Sequence, residues 1–113
     1  MHELGLATDI VGVVTRVADE HEAKKVGDIV VEVGLLAGVD KASLEFCFEA
    51  ITRGTRLDGA HLKVMEVKPR ARCKACEKEY EVRMDNFLCP YCCSRDFELL
   101  IGSDICIKEV EVE

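Results

Sequence analysis

The chain has 113 residues, a formal net charge of −7 and 49% hydrophobic residues. This length predicts one compact fold with a small appended module, and the acidic balance argues against a nucleic-acid-binding protein, which usually carries a basic surface. No apolar run approaches the length of a transmembrane helix, and the first residues lack the basic and apolar segments of a signal peptide. We therefore expect a cytoplasmic protein with no membrane partner.

An amphipathic helix is predicted first, over residues 4–22. Apolar residues recur there at positions 7, 10, 11, 14, 17 and 18, which is the spacing of one helix face. Gly5 and Gly12 weaken the prediction, because each costs roughly 1 kcal/mol relative to alanine inside a helix. Gly27 is the predicted stop.

A strand and a second helix are predicted next. Residues 29–35 alternate between two faces and are rich in β-branched side chains, as expected for a strand. Residues 41–53 have a helical apolar face, and either Asp40 or Ser43 is the predicted cap. Gly54 follows where a C-terminal capping glycine would lie.

The last elements complete a small α/β fold. Residues 62–67 and 105–112 are predicted strands, and the second of them changes phase, which indicates a bulge. The order helix, strand, helix, strand, insert, strand predicts a small sheet with two helices. The insert, residues 69–97, begins at Pro69, where the chain changes character.

The insert carries the strongest motif. Two C-x-x-C pairs are separated by twelve residues, and their members are Cys73, Cys76, Cys89 and Cys92. Two such turns present four thiolates to one tetrahedral ion, and the set leaves no open coordination position. Soft thiolate ligands favour Zn²⁺, so the sequence predicts a structural zinc ribbon. Two disulfides, iron and redox-active thiols are the alternatives, but seven cysteines in a cytoplasmic chain favour metal.

Three cysteines lie outside this set. Cys93 directly follows Cys92 and is an alternative ligand, although the C-x-x-C spacing favours Cys92. Cys47 and Cys106 fall in apolar patterns and are expected to be packed as small hydrophobic side chains.

The insert does not have the charge of a nucleic-acid-binding ribbon. Residues 69–97 contain six Lys and Arg against five Asp and Glu, before the negative charge of a zinc tetrathiolate is added. The electrostatic attraction that supplies non-specific binding is therefore missing.

His2 is the next candidate ligand. The α-amine of Met1, the amide nitrogen of His2 and its imidazole can enclose one ion in fused chelate rings, a donor set that suits Ni²⁺ or Cu²⁺. Glu3 can add its own amide nitrogen or its carboxylate. The simpler interpretation of His2 is an ordinary exposed terminal residue. His21, near the end of the first helix, is expected to have a surface or capping role, and His61 stands at a strand edge without an evident partner.

Several segments together resemble the HypA family, which comprises nickel-insertion accessory proteins for the maturation of nickel–iron hydrogenases. They are Met1-His2-Glu3-Leu4, Val31-Glu32-Val33-Gly34, Leu44-Glu45-Phe46-Cys47-Phe48 and the paired C-x-x-C motifs. The resemblance covers essentially the whole chain. Some members of the family also serve urease.

The resemblance implies specific roles. His2 and Glu3 match the family's nickel-binding motif, and Cys73, Cys76, Cys89 and Cys92 match its zinc ligands. Residues 1–68 with 98–113 would form the nickel-binding α/β domain, and residues 69–97 the zinc-ribbon domain. The implied partners are the GTPase HypB and a hydrogenase large subunit.

One departure from the family concerns histidine. Some members supply a further nickel ligand from the zinc region, whereas this chain has no histidine after His61. Its nickel site would be completed by N-terminal groups, a partner or water.

The resulting prediction is a non-enzymatic nickel metallochaperone with Ni²⁺ and Zn²⁺ as its metals. The alternative is a zinc-ribbon adaptor that binds proteins and has no nickel role. An enzyme is not indicated, because no carboxylate pair, Ser-His-Asp set or phosphate-binding loop is present. Both a monomer and a homodimer are compatible with the sequence.

Overall fold

The computed structural model describes residues 2–113 and contains two α-helices and six strands within that range. The elements are α1 (His2–Glu20), β1 (Val26–Gly34), a 3-10 turn (Leu35–Ala37), α2 (Lys41–Thr52), β2 (His61–Val67), β3 (Arg70–Cys73), β4 (Glu79–Glu81), β5 (Phe97–Ile101) and β6 (Ile105–Val112). None of the helices in this range is long and apolar enough to cross a bilayer.

The strands form two three-stranded sheets, with the orders β2-β1-β6 and β4-β3-β5. In the second sheet β3 is antiparallel to both neighbours, so that Ala71 lies opposite Tyr80 and Cys73 lies opposite Phe97. The two helices and the first sheet confirm the predicted α/β fold. The strands of the second sheet come between β2 and β6 along the chain, as expected for an inserted module.

The chain divides into two compact units. The first contains the residues up to Glu32 together with Val39–Met65 and Cys106–Glu113, and the second contains Val33–Gly38 and Glu66–Ile105. We call them the helical unit and the ribbon unit. The predicted domain bounds, 1–68 with 98–113 and 69–97, stay a prediction.

The predicted first helix is confirmed, but its end is not where we expected. Ala7, Ile10, Val14 and Ala18 are buried, as the periodicity predicted. The helix ends at Glu20, because Glu22 adopts a left-handed conformation (φ 52°) and the Ala23 amide turns back to the Ala18 carbonyl at 2.8 Å. Gly27 as the stop is therefore wrong.

Gly27 lies in β1, where a Cβ would collide with the Glu111 side chain. The contact is with the end of a flexible side chain that can move aside, so it does not by itself require glycine at this position.

The second helix begins at the predicted residue, Lys41, and ends at Thr52, one residue before the predicted end. The Asp40 side chain accepts a hydrogen bond from the Ser43 amide at 3.1 Å, which identifies Asp40 as the cap. Gly54 follows the helix with φ 74°, in the left-handed region that favours glycine. Leu44, Cys47 and Phe48 are buried on the face that the sequence predicted.

Candidate metal centres

The four cysteines of the C-x-x-C pairs converge on one point in the ribbon unit. The Sγ atoms of Cys73, Cys76, Cys89 and Cys92 all lie within 4.8 Å of one another. Cys73 Sγ is 3.5 Å from Cys92 Sγ, and Cys76 Sγ is 3.7 Å from Cys89 Sγ. A tetrahedral zinc ion with Zn–S bonds of about 2.3 Å places its sulfurs roughly 3.8 Å apart. The two shortest of these distances are close to that value, and no pair exceeds it by more than about 1 Å, so the cluster fits zinc after small shifts of the sulfurs.

The two C-x-x-C turns have the same backbone hydrogen bonds. In the first, the Cys73 carbonyl accepts from the Glu77 amide and the Cys73 amide donates to the Lys78 carbonyl, both at 2.9 Å. In the second, the Cys89 carbonyl accepts from the Cys93 amide at 2.8 Å, and the Cys89 amide donates to the Ser94 carbonyl at 2.9 Å. We call each of these turns a knuckle.

This equivalence distinguishes Cys92 from Cys93. Glu77 and Cys93 occupy the same place in their knuckles, and both have left-handed backbones, with φ of 64° and 63°. Cys93 is thus the residue that closes the turn. The structure places Cys92 within the sulfur cluster and Cys93 outside it.

Backbone amides also point at the sulfurs. The Cys76 amide donates to Cys73 Sγ and the Tyr91 amide donates to Cys89 Sγ, each at 3.4 Å. Hydrogen bonds of this kind stabilise thiolates over thiols. The knuckles therefore supply the partial positive charge that a group of thiolates requires.

The thiols of Cys73 and Cys92 differ in acidity, because each has different hydrogen bonds within the crowded cluster. The hydrogen bond from the Cys76 amide is the main reason that the pKa of Cys73 is lowered to about 6. At Cys92 the Ser94 amide favours the thiolate, but hydrogen bonding to Cys73 and burial outweigh it and raise the pKa to about 12. One thiolate forms readily, whereas all four together require a cation that offsets their charge.

Tyr80 lies in the apolar core of the ribbon unit and was not singled out by the sequence. Its hydroxyl oxygen is fully buried and has no hydrogen-bond partner among residues 2–113. Burying an unpaired hydroxyl costs about 1–3 kcal/mol. Burial is the main reason that the pKa of this phenol is raised, and negative charge on the four nearby cysteines raises it further.

Besides Cys93, two cysteines lie outside the cluster, and one of them is buried and the other exposed. Cys47 is buried on α2, as predicted. Cys106 is exposed, so the prediction that it is packed is wrong. It lies on β6, where no residue is fully buried, so the apolar pattern around it is not a sign of burial on this strand.

The second candidate centre lies at the start of α1. The His2 side chain is 58% exposed, and its Nδ1 lies 3.7 Å from Oε2 of Glu3. The amides of a first helical turn have no acceptor within the helix, so the nitrogens of His2 and Glu3 can serve a ligand without loss of a helical hydrogen bond. The Met1 amine, predicted as a further nickel donor, lies outside the described residues.

Glu3 has a second contact that the sequence did not reveal. Its Oε2 accepts a hydrogen bond from the Asp40 amide at 3.1 Å, which links the first turn of α1 to the capping residue of α2. That bond is the main reason that the pKa of Glu3 lies below its usual 4.5. The charged bond is therefore present above about pH 4.5 and is lost as the pH falls through the lowered value.

The negative charge of Glu3 also matters for a cation. A helix N-terminus is positive and disfavours a metal ion. The Glu3 carboxylate next to His2 offsets that field.

The other histidines have ordinary surroundings. His21 Nδ1 lies 2.9 Å from the Val17 carbonyl oxygen, in agreement with the expected capping role. His61 begins β2, with Nδ1 3.9 Å from Oδ1 of Asp28. Among the described residues, only the four-cysteine cluster brings three or more potential side-chain ligands together.

Comparison with known proteins identifies the family. The HypA family model, described as hydrogenase/urease nickel incorporation, metallochaperone, matches residues 1–112. The chain belongs to the HypA family. This confirms the resemblance inferred from the motifs, and it places the chain among proteins of nickel incorporation and hydrogenase maturation.

Relatives of similar length match the chain from end to end. A hydrogenase maturation factor HypA from Azotobacter chroococcum mcd 1 is 37% identical, and one from Azotobacter vinelandii is 36% identical, each over 113 residues and the whole of both chains. The solution structure of the Ni metallochaperone HypA from Helicobacter pylori superposes with a TM-score of 0.70 at 22% identity, covering 99% of this chain and 97% of that one. A second HypA solution structure gives a TM-score of 0.75 at 22% identity, with 100% and 97% covered. These two structures show that the fold is shared.

Proposed function

We propose that this HypA-family chain binds Ni²⁺ at its N-terminus and helps to insert it into the large subunit of a nickel–iron hydrogenase during maturation. The observation that carries the proposal is the exposed His2 imidazole at the first turn of α1, where the amides of His2 and Glu3 have no helical acceptor. The family match supplies the metal, because the family is described by nickel incorporation.

The N-terminal donor set suits a Ni²⁺ ion that must be released to another protein. Ni²⁺ accepts square-planar sets of nitrogen donors, which the imidazole and the neighbouring backbone nitrogens of His2 and Glu3 can provide, with the Met1 amine as a further donor. His2 is open to solvent, so a partner can approach the ion directly. Glu3 can contribute its amide nitrogen or the Oε1 atom of its carboxylate, because Oε2 already accepts the Asp40 amide.

The four-cysteine cluster has a different role in this proposal. Cys73, Cys76, Cys89 and Cys92 hold zinc as a closed structural site. A closed site offers no position for a substrate, so the zinc does not make the chain an enzyme. The ion supplies positive charge to four crowded thiolates and stabilises the ribbon unit.

The nickel proposal is tested by moving the N-terminus. Adding one residue before Met1 displaces the free amine from the chelate while leaving the helices and thiolates intact. We expect Ni²⁺ affinity to fall by roughly tenfold or more, about 1.4 kcal/mol or more of binding free energy, as measured by isothermal titration. Zinc content should not change.

The matched control adds the same residue after Glu113. It should bind nickel as the unmodified chain does. If the unmodified chain, the N-terminal extension and the C-terminal extension bound nickel equally, the Met1 amine would not be a ligand. If His2→Ala also bound equally, a zinc-ribbon adaptor without a nickel role would be the better interpretation.

A second prediction concerns the energy source for nickel delivery. In the cytoplasm the chain should act with the GTPase HypB, because no phosphate-binding loop is present in its sequence. We expect HypB and the hydrogenase large subunit to be captured in pull-down assays, whereas the pure chain should not hydrolyse GTP. GTP turnover by the pure chain would contradict the proposal. Light scattering of the pure chain would decide between monomer and homodimer.

A further inference from the structure

The environment of Tyr80 is unusual for a tyrosine. The residue is central in β4, pairs with Ala71 of β3 and is 5% exposed. Its neighbours in the core of the ribbon unit are Ala71, Cys73, Val82 and Cys89, with Cys76, Phe97 and Leu99 packed against them. Phenylalanine would provide the same ring for this core without the cost of burying a hydroxyl.

The composition of this core limits what the hydroxyl can bond to. Apart from Tyr80 itself, the only side-chain atoms in it that can accept a hydrogen bond are the sulfurs of Cys73, Cys76 and Cys89. A neutral thiol is a weak acceptor, whereas a metal-bound thiolate is charged and a stronger one. At the described positions the hydroxyl has no partner among residues 2–113, sulfur atoms included, so a bond to sulfur requires a small shift of the ring or of a cysteine.

We infer that the Tyr80 hydroxyl donates a hydrogen bond to a thiolate of the metal-loaded cluster and is a positioning residue for the zinc site. The inference rests on the proposed zinc binding by the four cysteines. Tyr80 would add a side-chain donor to the two backbone amides, of Cys76 and Tyr91, that already point at sulfur. The phenol is suited to this role because burial keeps it protonated.

The hydrogen bond would have two consequences for the metal. It draws negative charge away from the thiolates, which lowers the repulsion among them and holds zinc more firmly. It also couples the bond to loading, because all four sulfurs are thiolates together only when the cation is present. Tyr80 would thus favour the loaded form over the empty one.

The first experiment uses the unmodified full chain loaded with ¹¹³Cd²⁺. We expect the Tyr80 hydroxyl proton to exchange slowly with water and to show scalar coupling to cadmium through the O–H···S bond. A hydroxyl proton in fast exchange, with no coupling to bound cadmium, would overturn the inference. Failure of the chain to bind cadmium through four sulfurs would overturn both this inference and the proposed zinc site.

The second experiment measures zinc affinity by chelator competition for Tyr80→Phe and Tyr91→Phe. Tyr91 is the only other tyrosine, its side chain is 59% exposed, and its backbone amide is retained in the variant. We expect Tyr80→Phe to bind zinc about tenfold more weakly, the lower end of the usual range for partners of metal ligands, and Tyr91→Phe to match the unmodified chain.

A spectroscopic readout separates this role from simple packing. In the Co²⁺-loaded chain, loss of a hydrogen bond to sulfur should move the sulfur-to-cobalt charge-transfer band to longer wavelength in Tyr80→Phe alone. An unmoved band together with an unchanged zinc affinity would overturn the inference.

Discussion

Replacing His2 with alanine should lower the affinity for Ni²⁺ by roughly 100-fold, which corresponds to about 2.7 kcal/mol of binding free energy. The imidazole is the only side-chain nitrogen ligand that the N-terminal motif offers, and without it the fused chelate cannot form. His2 is largely exposed, so its loss does not disturb the buried face of α1. Isothermal titration at pH 7.5 would measure the change, and zinc content should stay the same.

The control for this variant is His21→Ala. His21 follows the other end of α1 and is exposed, and its one side-chain hydrogen bond within residues 2–113 is to the Val17 carbonyl. Its removal should leave nickel binding unchanged. Nickel affinity of the unmodified chain should fall on acidification, because an imidazole must be neutral to coordinate a metal. Equal affinity in His2→Ala and the unmodified chain would show that nickel binds elsewhere.

Replacing Cys89 with alanine should remove zinc and unfold the ribbon unit. Structural zinc sites contribute about 10–16 kcal/mol of apparent binding free energy near neutral pH, most of which is lost when the tetrahedral set is incomplete. Cys89 is 1% exposed and contributes its sulfur both to the cluster and to the core around Tyr80. Elemental analysis should fall from about one zinc per chain to nearly none. Amide exchange should accelerate in residues 70–101.

Cys106→Ala is the control, because Cys106 is exposed and lies outside the sulfur cluster. That variant should keep its zinc. Acidification should release zinc from the unmodified chain, because protons compete with the metal for thiolates and four protons must return to the sulfurs. Full zinc occupancy in Cys89→Ala would refute the four-cysteine site.

The sequence was informative where the signal is local. The C-x-x-C pairs predicted the sulfur cluster, because each pair determines its own turn and needs little help from the rest of the fold. The periodicity of residues 7–18 predicted the buried face of α1, since burial and helix geometry share one period. Asp40 as a cap follows for the same reason: its hydrogen bond reaches only three residues along the chain.

The features that the sequence did not reveal depend on distant neighbours. The bond from the Asp40 amide to Glu3 joins residues 37 positions apart, and no motif connects them. The burial of the Tyr80 hydroxyl depends on the pairing of β4 with β3. The exposure of Cys106 depends on how β6 is covered by the rest of the fold, and no residue of that strand is fully buried. Each is set by tertiary packing, which residue spacing alone does not encode.

The equivalence of the two knuckles has a consequence for which of the adjacent residues Cys92 and Cys93 binds the metal ion. A metal ion arriving at the sequence Cys92-Cys93 meets two adjacent cysteine side chains. Capture by Cys93 would require a longer turn, and the amide of that residue would have to leave the Cys89 carbonyl that closes the knuckle. The backbone geometry of this knuckle therefore favours Cys92 over Cys93 as the metal ligand. A glycine in place of Cys93 would keep that geometry, because glycine adopts the left-handed conformation without strain, and it would leave only Cys92 available as the ligand.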